Sequence, residues 1–208
     1  MRPHQRARTA ADLRISRRAA IRGLAGTAAL TASRSFAAGE PTNNPPRFET
    51  GGYQFTILRP ARIVPALRLT RLDGTTRDLM TLRGRVVLLN FWATWCAACR
   101  TELPILDRVQ ATMAETGLQV VAVSVDRGGR RAVEPYVRSL NIRHVQIYLD
   151  PDGLLGHSDK ENRAQAPFAL YGMPISYVMD SAGRIVGYMP GAADWTSKAG
   201  QDLLRYYL

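Results

Sequence analysis

The sequence predicts an α/β fold in which a mixed central sheet is flanked by helices. Two nearly continuous apolar runs, Val86–Trp92 and 118–125, are typical of strands that are buried on both faces of a sheet. Between them, residues 96–115 carry apolar side chains at helical spacing. A strand–helix–strand unit of this length favours parallel pairing of its two strands. These observations place the centre of the fold between residues 86 and 125.

Turn-bounded patterns predict further elements on either side of that centre. A hairpin is expected at 67–72 and 75–80, where alternating residues flank Asp73-Gly74, and another at 175–179 and 184–188, around the turn 180–183. We also expect a helix at 132–140, a strand at 145–149, partial helix within 154–171 and a closing amphipathic helix at 195–207. The second hairpin adds antiparallel strands, so the predicted sheet is mixed.

The positive charge of the chain is concentrated at its amino terminus. Of the formal net charge of +11, residues 1–37 carry +7, from eight arginines and one acid. Residues 38–208 carry +4 and contain no long block of like charge. The densest basic segment beyond the terminus, 127–131, has no interleaved aromatic residue, so it is interpreted as a solvated loop. We therefore expect no nucleic-acid partner.

The first 37 residues predict an export signal peptide. The segment Ser16-Arg17-Arg18-Ala19-Ala20-Ile21-Arg22 resembles the twin-arginine pattern, and the apolar stretch 23–32 is shorter than the roughly 20 residues that cross a bilayer. We expect cleavage near Ala37 or retention as an anchor, then a linker at 38–52 and a folded domain at 53–208. A disordered arginine-rich arm is the alternative. Export implies a periplasmic location, which permits disulfides.

The two cysteines of the chain form a Cys-x-x-Cys pair, Cys96 and Cys99, at the predicted strand-to-helix turn. This setting is typical of reversible dithiol–disulfide exchange. A helix N-terminus lowers a cysteine pKa from about 8.5 into the range of roughly 3.5–7.5, so Cys96 is the predicted nucleophile and Cys99 the resolving thiol. A metal site would need two more ligands, and His144 and His157 lie far from the pair in sequence. We expect neither a metal nor a bound cofactor.

Two longer motifs carry a family resemblance. Residues 90–104, which read Asn-Phe-Trp-Ala-Thr-Trp-Cys-Ala-Ala-Cys-Arg-Thr-Glu-Leu-Pro, and Gly172-Met173-Pro174-Ile175-Ser176 resemble the TlpA-like (TlpA/ResA) branch of the thioredoxin superfamily. The segments 121–126, 150–153 and 180–187 are also similar, so the resemblance extends over about 65–208. It implies a thioredoxin fold with an added N-terminal β-hairpin and a central insertion.

The resemblance also implies a function. Members of this branch are exported, often membrane-proximal thiol–disulfide oxidoreductases that reduce apocytochrome c or the cysteines of copper sites. They are re-reduced by a membrane electron donor. We therefore expect protein thiol and disulfide substrates, a membrane electron-donor protein as partner, and membrane proximity if the leader is uncleaved.

Glu102 is the predicted proton-exchanging residue. It lies three residues after Cys99 on the same helix face and occupies the place of the branch's active-site glutamate. Asn90 stands where thioredoxin itself has a buried acid. Our hypothesis is that Glu102 exchanges a proton with Cys99. The alternative is an ordinary exposed helical glutamate.

Three further residues are predicted to contact the substrate: Trp95, Met173 and Pro174. Trp95 precedes the nucleophile and is expected to form an exposed apolar docking surface, whereas Trp92 belongs to the buried strand. Pro174 matches the superfamily's cis-proline, beside which an extended substrate strand can pair. A trans proline at a strand start is the alternative.

Other functions remain open from the sequence. The protein could act as an oxidase or isomerase of exported proteins, or as a copper chaperone with the thiols as soft Cu(I) ligands beside Met173. Ala98 replaces the proline that the branch usually has before its second cysteine, which leaves the redox potential undetermined. Peroxidase activity is disfavoured because no serine or threonine precedes Cys96 at the required spacing.

Overall fold

The computed structural model describes residues 44–64, 66–158 and 167–208. The predicted leader, 1–37, lies outside the described residues. Within the described ranges, no helix is both long and apolar enough to cross a membrane.

Strands and helices alternate between residues 86 and 149, and the remaining described strands lie on either side of this part. The helices are α1 (Ala97–Met113), α2 (Gly129–Ser139) and α3 (Lys198–Tyr207), with 3-10 turns at Leu79–Leu82 and Ala114–Thr116. The strands are β1 (Glu49–Thr50), β2 (Tyr53–Gln54), β3 (Thr56–Ile63), β4 (Arg68–Arg71), β5 (Thr76–Asp78), β6 (Val86–Trp92), β7 (Leu118–Ser124), β8 (Gln146–Leu149), β9 (Gly156–His157), β10 (Phe168–Ala169), β11 (Ile175–Met179) and β12 (Arg184–Pro190).

The main sheet is mixed and has the strand order β3-β12-β11-β6-β7-β8-β4-β5. At its centre, β6 pairs in parallel with β7 and antiparallel with β11. The crossover from β6 to β7 passes through α1, as predicted. The predicted hairpin before β6 is β4–β5, which joins the sheet through antiparallel pairing of β4 with β8. The C-terminal hairpin β11–β12 also forms as predicted.

The two faces of the sheet are covered in different ways. Side chains of α1, α2 and α3 pack with Leu88 and Val120 of the central strands in one core cluster, which also contains both cysteines. The alternate strand residues, such as Leu89 and Val121, form a second cluster on the opposite face. The residues that cover this second cluster include Leu79, Leu155, Phe168 and Leu170. The helix-bearing face therefore carries the cysteine pair.

Within 154–171, the described residues 154–158 and 167–171 contain no helix, and residues 159–166 of the predicted partial helix lie outside the described residues. The described residues on both sides of 159–166 form the short parallel strands β9 and β10 instead. Phe168 of β10 packs against Phe91, with ring centroids 5.4 Å apart. Among these described residues, Leu155, Phe168 and Leu170 cover one face of the sheet from short strands and loops, which do not require helical spacing of apolar residues.

The predicted linker also differs at its C-terminal end. Phe48 is buried, its carbonyl accepts a hydrogen bond from the Phe55 amide, and Glu49–Thr50 pairs with Tyr53–Gln54. Residues 48–52 are therefore part of the fold rather than a spacer before it.

Candidate active site

The cysteine pair lies where β6 ends and α1 begins. Cys96 is the N-cap residue of α1, and its Sγ accepts a hydrogen bond from the Cys99 amide at 3.1 Å. In this structure Cys96 and Cys99 form a disulfide. An acceptor at an N-cap satisfies one of the free N–H groups of the first turn. The same N–H groups favour negative charge on a Cys96 thiolate after reduction.

The two sulfur-bearing residues differ in accessibility. Cys96 is 8% exposed and Cys99 is 1% exposed. Trp95, directly before the pair, is 69% exposed, whereas Trp92 is buried in the core as predicted. An incoming sulfur atom therefore meets Cys96 first.

Asp126 fixes the turn that precedes the cysteines. Its buried carboxylate accepts hydrogen bonds from the Thr94 amide at 2.9 Å and the Thr94 hydroxyl at 2.6 Å. It also accepts one from the Ser124 hydroxyl at 2.7 Å. Asp126, two residues after β7, therefore fixes the turn that follows β6. Asp126 lay within a motif that the sequence indicated, but its role in holding Thr94 was not predicted.

Glu102 lies in the second turn of α1 and is fully buried, with 1% of its surface exposed. Its Oε1 accepts hydrogen bonds from the Ala193 amide and the Trp195 indole, each at 3.0 Å, and its Oε2 accepts one from Asn90 Nδ2 at 2.9 Å. Burial raises the pKa of Glu102 to about 7, although these three hydrogen bonds oppose the rise. The alternative of an exposed surface glutamate does not hold.

Asn90 connects Glu102 to the neighbouring strand. Its Nδ2 also contacts the Ser176 hydroxyl at 2.9 Å, and Asn90 and Ser176 are directly paired residues of β6 and β11. A polar residue within the apolar run of β6 was the sequence signal for this contact. Trp195 and Ala193 were missed, because they lie more than 90 residues from Glu102 and belong to no local motif.

The bond between Met173 and Pro174 is cis, which matches the prediction of a cis X-Pro bond. Pro174 directly precedes β11, and its carbonyl accepts a hydrogen bond from the Gly191 amide. Met173 packs against the core cluster that contains both cysteines. Its backbone amide and carbonyl have no hydrogen-bond partner among the described residues.

Trp95 and Met173 line one open groove with a volume of about 620 Å³. The groove is also lined by the loop after β8 and by the residues around β9 and β10, including Asp152, His157 and Tyr171. Asp150 shapes that loop by accepting hydrogen bonds from the amides of 154, 155 and 156. Arg127 also lines the groove. Of the residues that line this groove, the sequence predicted Trp95 and Met173 as substrate contacts and missed the others.

This fold and site define a class of protein. A disulfide at the N-terminus of a helix, a preceding β-strand in a mixed sheet and a cis-proline before the neighbouring strand are the features of a thioredoxin-type redox protein. The model of the AhpC/TSA family matches residues 60–187, which is more than half of the chain. The chain belongs to this thioredoxin-like family.

Relatives in sequence agree with this assignment. The thiol-disulfide oxidoreductase ResA of Oceanobacillus iheyensis is 30% identical over 120 residues, which cover 58% of this chain and 57% of the relative. The thiol:disulfide interchange protein DsbE of Yersinia pestis is 34% identical over 136 residues, which cover 62% of this chain and 65% of the relative. The chain thus spans less than two thirds of the length of either. The resemblance to the ResA group is confirmed.

Solved structures show the same fold. A thiol:disulfide interchange protein DsbE from Chlorobium tepidum aligns with a TM-score of 0.58 and 26% identity, over 71% of this chain and 97% of the other. The exposed lipoprotein thioredoxin of Streptococcus pneumoniae aligns with a TM-score of 0.54 and 23% identity, over 68% of this chain and 99% of the other. The prediction of a thioredoxin-like fold is confirmed.

Proposed function

We propose that this protein is an exported thiol–disulfide oxidoreductase that acts mainly as a reductant of disulfides in other exported proteins. The observation that carries the proposal is the Cys96–Cys99 disulfide at the start of α1, with Cys96 the more exposed residue of the pair. The names of the ResA and DsbE relatives support the same activity.

The first step is an attack by the reduced protein on a substrate disulfide. The Cys96 thiolate forms a bond to one substrate sulfur, the substrate S–S bond breaks, and the other substrate sulfur leaves as a thiolate. The N-terminus of α1 stabilises the attacking thiolate, because the Cys99 amide donates to the Cys96 sulfur and the positive end of the helix dipole favours negative charge there. The product of this step is a mixed disulfide between Cys96 and the substrate.

The second step releases the substrate. The Cys99 thiolate attacks Cys96 Sγ, the mixed disulfide breaks, and the second substrate sulfur leaves as a thiolate that water protonates. Cys99 must first lose its proton, and Glu102 is the proposed acceptor. A carboxyl group with a pKa of about 7 is suited to exchanging a proton near neutral pH. The substrate gains two electrons, and this protein is left with the Cys96–Cys99 disulfide.

The substrate is proposed to dock across Trp95, Met173 and Pro174. The exposed indole of Trp95 offers apolar contact area beside the nucleophile. The backbone of Met173, which has no partner in the part of the chain that the structure describes, can hydrogen-bond an extended substrate segment, as in recognition by strand addition. No cofactor takes part in this scheme, since the two sulfurs carry both electrons.

The proposed clients are apocytochrome c or proteins with copper-site cysteines, and a membrane dithiol protein is the proposed electron donor. The proposed location is periplasmic, with the leader either cleaved or kept as an anchor. The pneumococcal neighbour is an exposed lipoprotein, which supports a position outside the cytoplasm. No nucleic-acid partner is proposed.

Trapping tests the proposed division of labour. We expect a Cys99→Ser variant to accumulate a covalent, reductant-sensitive complex with its client, because the mixed disulfide at Cys96 can no longer be resolved. Mass spectrometry after non-reducing electrophoresis detects and identifies the complex. The matched control is Cys96→Ser, which should trap nothing. Equal trapping by both variants, or by the control alone, would contradict the assigned roles.

The redox potential tests the direction of electron flow. Equilibration with glutathione should give a reduction potential well below that of strongly oxidising dithiol proteins, which is about −120 mV. A value close to that figure would overturn the reductant role and favour an oxidase of exported proteins.

A further inference from the structure

We propose that Trp195 is a positioning residue whose indole N–H orients Glu102 and favours its charged, proton-accepting form. This inference rests on the proposed role of Glu102 in the exchange reaction. It assigns a reaction-related task to a tryptophan that lies outside the sequence motifs around the cysteines.

The geometry of the contact is specific. Trp195 is fully buried, and its Nε1 lies 3.0 Å from Oε1 of Glu102. The Ala193 amide donates to the same oxygen, so two N–H groups from one short segment converge on it. Asn90 holds the other oxygen from β6. Glu102 is therefore clamped between the sheet and the segment that leads into α3.

Packing fixes the indole in this position. The ring of Phe48 lies against Trp195 with centroids 5.0 Å apart. At Gly200 of α3, an added Cβ would lie only 2.9 Å from the Trp195 Cα, so the helix approaches the tryptophan backbone closely. Phe48 and α3 thus both pack against Trp195. This packing sets the direction of the indole N–H before any reaction.

The electrostatic consequence follows from what surrounds Glu102. Burial raises the pKa of Glu102 to about 7, and each of the three hydrogen bonds lowers it. No charged side chain of the described residues contributes to the shift. The titratable groups on the adjoining turn of α1 are Cys96, Cys99 and Arg100. The two cysteines are joined in this structure, and Arg100 is exposed and donates to the Tyr136 hydroxyl. Removing the Trp195 donor should therefore raise the pKa of Glu102, because the carboxylate loses one of its stabilising contacts.

A second buried tryptophan provides a matched control. Trp92 is as deeply buried as Trp195, but its Nε1 has no hydrogen-bond partner among the described residues. Its ring stacks on Tyr136, with centroids 5.8 Å apart. Replacing either tryptophan by phenylalanine removes the same atoms from the core, and only the change at Trp195 removes a donor from Glu102.

The test is a carboxyl titration of the oxidised protein, in which no thiol titrates. The side-chain carboxyl of Glu102 is followed by 13C NMR in protein labelled at glutamate, with the signal assigned through a Glu102→Gln variant. In Trp195→Phe the midpoint should rise by about one pH unit, a tenfold change in acidity, as expected for loss of one hydrogen bond to a charged group. In Trp92→Phe the midpoint should stay at the wild-type value.

The outcomes separate the inference from its alternatives. An unchanged midpoint in Trp195→Phe, or equal changes in both variants, would overturn the inference and leave Trp195 a packing residue. If Trp195→Phe does not fold, benzothienylalanine at position 195 keeps the shape and lacks the N–H, and the same rise is expected. Client trapping by Cys99→Ser is measured separately, so failure of the proposed function appears there and leaves this titration unaffected.

Discussion

The chemistry of the site depends on Glu102, where two opposing effects set the balance between the protonated and charged forms. Complete burial disfavours the carboxylate, and three N–H donors favour it. Burial dominates, so the pKa lies near 7 rather than at the usual 4.5. A group with that pKa is partly protonated at neutral pH and can both take and return a proton.

This balance makes stability depend on pH. The unfolded chain releases the Glu102 proton near pH 4.5 and the folded protein near 7, so the folded state binds more protons in between. The free energy of unfolding should therefore fall as pH rises through this window, by about 3 kcal/mol. We expect Glu102→Gln to lose this part of the pH dependence.

Urea unfolding of the oxidised proteins at pH 5 and pH 8 measures the effect. The difference in unfolding free energy between the two pH values is compared in wild type and Glu102→Gln, so contributions from other groups cancel. The same difference in both proteins would show that Glu102 has an ordinary pKa.

Asp126 is expected to hold the turn before the cysteines. In Asp126→Ala the amide and hydroxyl of Thr94 lose their acceptor, and we expect a loss of about 2–3 kcal/mol of stability. Urea unfolding measures it. The control is Asp152→Ala, an exposed acid, which should change stability by less than about 0.5 kcal/mol. A loss no larger than that of the control would show that Thr94 finds other partners.

Among the individual residues of the site, the sequence predicted those that lie on one local motif. It missed the residues that contact this motif from distant parts of the chain. The spacing of Cys96, Cys99 and Glu102 on one helix face is a local property, so it can be predicted without a structure. Trp195 and Asp126 act through contacts across the fold, and their neighbours in sequence carry no pattern that indicates the contact.

Among the elements, β6 and α1 were the most predictable, and the edge strand β3 the least. The run Val86–Trp92 is apolar throughout, and α1 continues past Pro104 to Met113 as its periodicity indicated. By contrast, β3 contains Pro60 and mostly exposed side chains. Proline is tolerated in an edge strand, because one side of that strand forms no hydrogen bonds with a neighbouring strand. The alternation of apolar and polar residues that predicts a strand is absent from β3.

The segment before β3 belongs to the folded unit, and this has a measurable consequence. Phe48 is buried against Trp195, so Phe48→Ala should cost about 3–5 kcal/mol of stability by opening a cavity. Thermal or urea unfolding measures the loss. The control is Ile63→Ala on β3, where the side chain is 72% exposed, and the expected loss is below about 1 kcal/mol. Equal effects would show that Phe48 is only loosely attached.

At the scale of the whole molecule, the sheet separates the helix-covered face that carries the reactive residues from the face that is covered by strands and loops. The face that carries α1, α2 and α3 also holds the cysteines, Glu102 and its donors. The site draws on three distant parts of the chain: 90–102, 173–176 and 193–195. The sequence predicted the first two parts through motifs. The third could not be predicted, because its position depends on how α3 packs against the sheet.

The proposed chemistry requires that Cys96 ionises readily and is accessible, while Cys99 stays sheltered behind it. Differential alkylation of the reduced protein with iodoacetamide near neutral pH, followed by peptide mass mapping, tests this directly. We expect Cys96 to be modified first and Cys99 much more slowly. Modification of Cys99 before Cys96, or of neither residue near neutrality, would contradict it.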